Sequence, residues 1–328
     1  MARLAAYGWL ATLVLVLALF AWPGERAWPV AALLYLPRAF FALPLLAIAP
    51  ALWITGQRWQ LWTQAACAVL VVFPLMGLRL VVPVDRPGGA VLRVLAWNVK
   101  LGRAGEPSSI AREIRSAAPD VVVFVAPSSA ALAALSGVLP DFRVARLDAF
   151  AVASRHPVRP VRAAAELATR SGAPFAQFRV ESPLGPIEVF AVHPLSPRGA
   201  FRSLRGLRTG LLGGQARRAF IDDEERRSRA LRSLADEAAR SPNPVLLAGD
   251  FNSPSRSRVF AEAMRGFRDA FEEAGSGFGY TFPARPFLAF LRLDRILAGP
   301  GLRFVAFKVG GNGGSDHRPI YADIVGEQ

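Results

Sequence analysis

Apolar residues dominate roughly the first eighty positions of the chain, where they form long runs at residues 4–22, 39–55 and 61–82. A membrane-spanning helix needs about 20 mostly apolar residues. Tryptophan is also common near the ends of such helices, and here it lies near the ends of the runs, at Trp9, Trp22, Trp28, Trp53, Trp59 and Trp62. The pattern therefore predicts a transmembrane region over residues 1–82, with three helices.

A cleaved signal peptide is the alternative for the first apolar run. It fits less well because two more runs follow, and no clear small-residue cleavage site precedes Pro23. Three spans would put the amino terminus and the remainder of the chain on opposite faces of a membrane. Basic residues are balanced between the two sides, so the positive-inside rule does not decide the orientation. We expect the large domain on the extracytoplasmic side.

A change of pattern follows the apolar region. Residues 83–90 are rich in Pro and Gly and form a predicted linker. Beyond it, short apolar runs interrupted by Gly, Pro and Asn predict strands at residues 91–97, 121–125, 149–153, 158–161, 174–180, 186–192, 245–249, 291–297, 302–309 and 320–325. Helical patterns lie at residues 107–118, 224–239 and 258–264. Residues 91–328 are thus predicted to form an α+β domain, a two-layer β-sandwich flanked by helices.

The net charge of +14 says less about the binding partner than its size suggests. All but two of the 39 basic residues are arginine, the exceptions being Lys100 and Lys308, and they are scattered along the chain. The charge therefore favours a nucleic-acid partner only slightly. The single cysteine, Cys67, excludes a disulfide framework and a cysteine metal site.

Polar residues at the ends of predicted strands carry the candidate chemistry. The chain has only three histidines, and two of them, His193 and His317, lie beside predicted strands. Asn98 ends the first strand of the domain, while Asp250 and Asn252 follow a strand that ends in glycine. Turn formation alone does not explain why several strands end in Asn, Asp or His. We therefore interpret these residues as parts of one site.

The spacing of these residues indicates phosphoester chemistry. Asp250 and Asn252 are two positions apart, which points their side chains the same way in extended backbone. An acid beside an amide suits a hard cation and a phosphoryl group. Asp294 lies in an apolar strand and needs a partner if it is buried. Turn formation, a helix cap at Asn98, a structural role for Asp294 and strand termination at His193 are the alternatives.

The chain resembles the endonuclease/exonuclease/phosphatase superfamily, whose members resemble DNase I and apurinic endonucleases. The matching motifs follow the family order over residues 91–324, as Leu95-Ala96-Trp97-Asn98, Pro119-Asp120-Val121-Val122-Val123, Ser154-Arg155-His156-Pro157, Val192-His193, Gly249-Asp250-Phe251-Asn252, Leu293-Asp294-Arg295-Ile296 and Ser315-Asp316-His317. The resemblance implies a DNase I-like fold and phosphoester hydrolysis. The amino-terminal region is similar to that of a membrane-anchored bacterial branch, so we expect an integral protein of the bacterial inner membrane.

The resemblance also implies a role for each matching residue. Asp250 would orient or deprotonate the attacking water, and Asn252 would bind the phosphate. His317 would hydrogen-bond the scissile phosphate while Asp294 fixes its ring. His193 would be the acid for the leaving group.

A divalent cation, Mg²⁺ or Mn²⁺, is part of the implied chemistry. Asp316 and Asn98 would help to hold it. The resemblance also implies a metal-binding glutamate after the second strand, but the chain has Ala126 there. Glu106 or Glu113 could supply the missing carboxylate, or the cation site is weakened.

Two functions follow from these motifs. The first is a membrane-anchored, metal-dependent phosphoester hydrolase, and the alternative is a catalytically impaired relative that binds a phosphate-bearing ligand or a partner. Nucleic acid, a phospholipid headgroup and a small phosphoester all stay open as the substrate, and the sequence leaves the oligomeric state open. Arginines in residues 199–220 indicate either a substrate-binding loop or a solvated one.

Overall fold

The computed structural model describes residues 1–81, 89–99, 107–129, 132–133, 137, 139–204, 214–285 and 288–327. Most of the predicted linker, Glu106, and two arginines of the predicted loop, Arg205 and Arg208, lie outside these residues.

The amino-terminal region is built of helices α1 (Ala2–Ala21), α2 (Trp28–Leu33), α3 (Leu45–Ile54) and α4 (Leu61–Leu70). Among the described residues, α1 alone is long and apolar enough to cross a membrane, with 20 residues and a mean hydropathy of 2.2. The second and third predicted spans consist of shorter helices interrupted by turns. Pro50 lies inside α3, and Pro74 lies in the π-helical turn that follows α4. The number of spans stays a prediction.

The strands of the domain are β1 (Leu92–Asn98), β2 (Val121–Val125), β3 (Arg143–Leu147), β4 (Phe150–Ser154), β5 (Val158–Ala163), β6 (Phe175–Ser182), β7 (Gly185–Val192), β8 (Val245–Asp250), β9 (Arg268–Asp269), β10 (Asp294–Ala298), β11 (Leu302–Val309) and β12 (Ile320–Gly326). Helices α5 (Pro107–Ala117), α6 (Arg198–Ser203), α7 (Gln215–Ala239), α8 (Arg258–Ala263) and α9 (Ala270–Ala274) connect them. The strands form two six-stranded sheets, in the orders β11-β12-β1-β2-β4-β3 and β5-β6-β7-β8-β10-β9. The predicted α+β sandwich is confirmed.

The core lies between the two sheets. Residues such as Val94, Val123, Val189 and Ile296 are fully or almost fully buried there, because alternate side chains of each strand point inward. β2 and β8 are buried along their whole length, which explains why they read as continuous apolar runs. The outer faces of these central strands need a covering layer of helices.

Helices supply that layer on both sides. Ile110 and Ile114 of α5 pack on the outer face of the first sheet. Leu231 and Leu234 of α7 cover the second sheet. Helices thus cover the outer face of each sheet. The polar residues at the strand ends, along one edge of the sandwich, are left as the candidate site.

Some elements differ from the predictions. The structure has two strands, β3 and β9, that were not predicted, and α7 begins at Gln215 rather than at residue 224. The predicted loop 199–220 is wrong in its described part, because α6 and the first turns of α7 occupy it. Phe220, which is buried against Ala31 and Ala200, explains why α7 extends so far.

The amino-terminal helices pack against the domain. Leu13 and Phe20 of α1 share an apolar cluster with Leu291 and Leu293 of the domain. Trp28 of α2 contacts Phe220, with ring centroids 6.3 Å apart. The two parts of the chain therefore share apolar contacts rather than a linker alone.

Candidate active site

Parallel strand pairs bring the predicted residues to one edge of the sandwich. β1 pairs in parallel with β2, and β7 with β8, so the carboxyl ends of all four strands meet there. Asn98 ends β1, and Asp250 ends β8. β10 runs antiparallel to β8 and places Asp294 directly beside Asp250. This topology gathers residues that are far apart in the chain.

Glycine is required at the approach to Asp250. Gly249 has φ of 144°, and a Cβ there would collide with the carbonyl oxygen of Val192. A side chain at this position would therefore push β7 and β8 apart. The Gly-Asp sequence is thus explained by close strand packing, and the acid follows at the strand end.

Asp250 is the centre of the site. It is 1% exposed and accepts hydrogen bonds at Oδ2 from Asn98 Nδ2 and at Oδ1 from the backbone N–H of Asn252, each at 2.9 Å. Two histidines face Oδ2, with Nε2 of His317 at 3.6 Å and Nε2 of His193 at 3.8 Å. These contacts fix the carboxylate and surround it with groups that bind or transfer protons.

His317 and Asp294 form a buried pair. Nδ1 of His317 lies 2.8 Å from Oδ2 of Asp294, which leaves Nε2 on the side of Asp250. Burial opposes a charge on the ring, but Asp294 and Asp250 outweigh it and raise the pKa of His317 to about 9. Burial also raises the pKa of Asp294, against the effect of the histidine. The ring is thus oriented and cationic at neutral pH.

His193 differs from His317 in its surroundings. Burial lowers the pKa of His193, although Asp250 acts in the opposite direction. Its side chain is 20% exposed, and its backbone N–H donates to the carbonyl oxygen of Pro174 at 2.7 Å. At neutral pH the site therefore combines a neutral histidine with a cationic one.

Asn252 is held in a special conformation. Its φ is 48°, in the left-handed region that Asn tolerates better than most residues. Nδ2 donates to the carbonyl oxygen of Pro194 at 2.9 Å, while its own carbonyl oxygen accepts a 2.7 Å hydrogen bond from the hydroxyl of Tyr35. Tyr35 belongs to the amino-terminal region, and nothing in the sequence linked it to the site.

Asp316 lies beside an arginine rather than among the acids. Its Oδ2 pairs with Nη2 of Arg198 at 3.2 Å. Arg198 also lies over the ring of Phe282, with Cζ 5.8 Å from the centroid, and that ring is 4.9 Å from the ring of His317. Arg198 and Phe282 were not predicted as site residues, since neither lies in one of the motifs. Arg198 brings a positive charge to the entrance of the site.

Position 126 carries no ligand for a cation. Ala126 follows β2 with φ of 51°, and its N–H donates to the carbonyl oxygen of Ala149 at 2.9 Å. Glu113 does not replace the missing carboxylate, because its Oε1 accepts a 2.7 Å hydrogen bond from the N–H of Gly311. Glu106 lies outside the described residues.

The remaining donors make an incomplete cation site. Asp250, Asp294 and His317 each offer a ligand atom, all within 4.8 Å of one another. The bond between Asp294 and His317 uses only Oδ2 and Nδ1, and Oδ1 of Asp294 is buried without a hydrogen-bond partner among the described residues. Asp316 pairs with Arg198. With alanine at position 126 the group lacks one carboxylate of the divalent site that the resemblance implies, so the Mg²⁺ or Mn²⁺ prediction stays a prediction.

Comparison with known families gives one clear match. The model described as the Endonuclease/Exonuclease/phosphatase family matches residues 95–317, which includes every predicted site residue. No curated protein matches the chain.

Solved structures share the fold of the domain. An endonuclease/exonuclease/phosphatase from Beutenbergia cavernae is similar with 23% identity and a TM-score of 0.50, over 72% of each chain. A family member from Bacteroides thetaiotaomicron has 13% identity and a TM-score of 0.52, over 73% of this chain and 99% of its own. TDP2 of D. rerio, complexed with a single-strand DNA product, has 16% identity and a TM-score of 0.52, over 72% of this chain and all of its own (100%).

Proposed function

The chain belongs to the Endonuclease/Exonuclease/phosphatase family, and from that membership we propose that it is a membrane-anchored hydrolase of phosphoesters. The observation that carries the proposal is the buried Asp250, which two histidines face at 3.6 and 3.8 Å. A carboxylate held this way suits a water-orienting base. The cationic ring of His317 beside it suits a group that binds a phosphoryl oxygen.

The proposed mechanism uses residues of this chain. Asp250 orients a water molecule for in-line attack on phosphorus and accepts its proton. His317, held by Asp294, donates from Nε2 to a phosphoryl oxygen and stabilises the developing negative charge. His193 is neutral, so it has no proton to donate at the start of the reaction. We therefore assign it the transfer of the proton from Asp250 to the leaving oxygen.

Two further residues bind the phosphate in this proposal. Asn252 faces the same strand end as Asp250, and its backbone is fixed by its left-handed conformation. Arg198 supplies a guanidinium group at the entrance, and arginine binds phosphate well because its N–H groups form a planar fork. In this proposal its positive charge neutralises part of the negative charge on the phosphate, which a metal ion does in related chemistry.

Membrane anchoring rests on the amino-terminal region. α1 is apolar enough to span a bilayer, and only 22% of its apolar window is buried within the protein. A signal sequence passes the same test. The packing of Leu13 and Phe20 against Leu291 and Leu293 favours an anchor, because removal of α1 would uncover apolar side chains of the domain. We place the domain outside the cytoplasm of a bacterial inner membrane.

The function is tested with the full chain in lipid nanodiscs. Wild type should hydrolyse bis(4-nitrophenyl) phosphate or DNA, each measured with Mg²⁺, with Mn²⁺ and with chelator. Asp250→Asn should lower turnover roughly 10²- to 10⁴-fold, the usual contribution of a general base. Asp236→Asn, on the exposed face of α7, is the matched control and should have no effect. Turnover that is indifferent to Asp250→Asn would contradict the proposal.

The alternative function is a phosphate-binding relative without turnover. Ala126 favours it, since the carboxylate that the resemblance implies for the cation is absent. In that case wild type would bind methylphosphonate, and binding would weaken in Arg198→Ala, while no phosphoester in the assay is hydrolysed. Measurable hydrolysis by wild type rules the alternative out.

A further inference from the structure

A large apolar groove lies between the amino-terminal region and the domain. Its volume is about 1660 Å³, beyond the roughly 300–1,000 Å³ of a site for a compact small molecule. Phe40 and Met76 line it on one side, and Phe282, Leu288 and Phe290 line it on the other. The size and lining of the groove suit a long apolar ligand.

Part of the groove lies beside the candidate active site. Asp316 and Phe282 are both part of its wall. Phe282 lies 4.9 Å from the ring of His317, and Asp316 pairs with Arg198 at 3.2 Å. A molecule with a phosphoester at the site would therefore have the groove as its neighbour, past Phe282 and Asp316.

Another part of the groove reaches the amino-terminal region. Pro37, Ala39 and Phe40 line it there. Phe40 is 61% exposed, and the next apolar residues, Leu43 and Leu46, are 57% and 75% exposed. Large apolar side chains exposed together on a segment beside a membrane helix are suited to lipid contact. The groove thus connects the phosphoester site with a surface that suits hydrocarbon.

Hydrogen bonds hold the two walls of the groove together. The hydroxyl of Tyr280 donates to the carbonyl oxygen of Met76 at 2.8 Å. Arg79 and Gly277 exchange two backbone hydrogen bonds, each 2.9 Å long. The groove is therefore a feature of the folded chain and does not depend on an open gap between two independent parts.

We propose that the substrate is an amphiphilic phosphoester of the membrane-lipid class, with its phosphate at Asp250 and its hydrocarbon tail in the groove. This inference rests on the proposed function, because it assigns the substrate of the same site. A single-stranded nucleic acid is the less suitable occupant, since it requires a basic channel and base-stacking platforms along its length. Arg285, Lys308 and Arg318 do line the groove, but most of its lining is apolar.

The proposal is tested by varying the length of the ligand's alkyl chain and by narrowing the groove with larger side chains. The full chain in nanodiscs is titrated with methyl-, butyl- and octylphosphonate, and turnover is measured with the matching alkyl 4-nitrophenyl phosphates. Affinity and kcat/KM should rise with each methylene that enters the groove, by up to about fourfold per methylene. Ala289→Trp, or Ala39→Trp on the opposite wall, should remove this dependence and leave methylphosphonate binding unchanged. Ala165→Trp, on the exposed surface far from the groove, is the control for partition into the bilayer.

The outcomes separate this inference from the proposed function. Hydrolysis of the methyl ester with no gain from a longer chain leaves the proposed function intact and overturns the lipid substrate. A gain that persists in both groove variants also overturns it, because the tail then binds elsewhere. Weaker oligonucleotide binding in Ala289→Trp, with octylphosphonate unaffected, would identify a nucleic-acid groove instead. Absence of all turnover removes the proposed function and the substrate assignment with it.

Discussion

At the scale of single residues, the site depends on how each charge is compensated. Asp250 has neutral donors in Asn98 and Asn252, whereas Asp294 has the cationic ring of His317. Asp316 faces Arg198. The acids thus differ in function although their side chains are identical, because the neighbouring group decides whether a carboxylate binds a proton, a cation or another side chain.

The chemical types of the site residues could be predicted from sequence, but of their pairings only that of His317 with Asp294 could. The scarcity of histidine and the strand-end positions identified His193 and His317, and the resemblance identified Asp294 as the partner of the second. Arg198 lies in a proline-rich segment with many other arginines nearby, so its sequence gave no reason to select it. Tyr35 reaches Asn252 only because α2 folds back onto the domain.

The first residue-scale prediction concerns position 126. Ala126→Glu should increase the affinity of the full chain for Mn²⁺ at least about tenfold, because a carboxylate is a preferred ligand of a hard cation. The backbone cost is small, since the alanine already has a Cβ at φ of 51°. Isothermal titration in nanodiscs measures the affinity. Ala126→Gln keeps the shape without the charge and should give a much smaller gain; equal affinities in all three proteins would refute this account.

At the scale of elements, the strands that are most buried were predicted best from the sequence. β2 and β8 were predicted from sequence because both faces are buried, which requires a continuous apolar run. β3 was missed because Ala145 is its only buried residue, and its two arginines broke the pattern. The start of α7 was missed because its first turns are rich in arginine, and Phe220 is buried through tertiary contacts with α6 and with the amino-terminal region.

One element-scale prediction concerns the junction of β9, α9 and β10. Asp269 caps α9 by accepting from the N–H of Phe271 at 3.0 Å. It also pairs with Arg292 at 2.7 Å and Arg295 at 2.9 Å. Burial alone would raise the pKa of Asp269, but the two arginines outweigh it and hold the pKa below its ordinary value. Asp269→Asn should destabilise the domain by about 3–5 kcal/mol at neutral pH. It leaves the buried Arg295 without its acid, and it leaves Arg292 with only the half-exposed Glu272, at 3.2 Å.

The same acid gives a pH dependence with a defined sign. A carboxyl group whose pKa is lowered on folding contributes stability above its unfolded pKa of about 3.9. That contribution is lost as the pH falls through the lower, folded value. Apparent melting temperatures between pH 3 and 7 should therefore fall less steeply at the acid end in Asp269→Asn than in wild type. The exposed Asp236→Asn should follow wild type throughout, and parallel curves for all three would count against the ion-pair network.

At the scale of the whole molecule, the amino-terminal region contacts the candidate site as well as supplying the apolar helix α1. It buries Leu291 and Leu293 at the start of β10, and it donates the Tyr35 hydrogen bond beside Asp250. Contacts of this kind couple the position of the domain to that of the amino-terminal helices. A domain detached from these helices would keep its sheets but lose part of the support for the residues after β8.

The last prediction tests this coupling in the intact chain. Tyr35→Phe removes one hydroxyl and leaves the Asn252 carbonyl without its donor, which costs about 1–3 kcal/mol when the group is buried. We expect lower turnover of every phosphoester that wild type hydrolyses, with membrane association unchanged in a carbonate wash. Tyr7→Phe, in α1, is the matched control because the ring of Tyr7 packs on Trp62, 6.3 Å away, far along the chain from the site residues. If Tyr35→Phe and Tyr7→Phe behave alike, the amino-terminal helices pack against the domain without shaping its site. A loss confined to Tyr35→Phe would instead mean that the amino-terminal region helps to hold the residues after Asp250 in place.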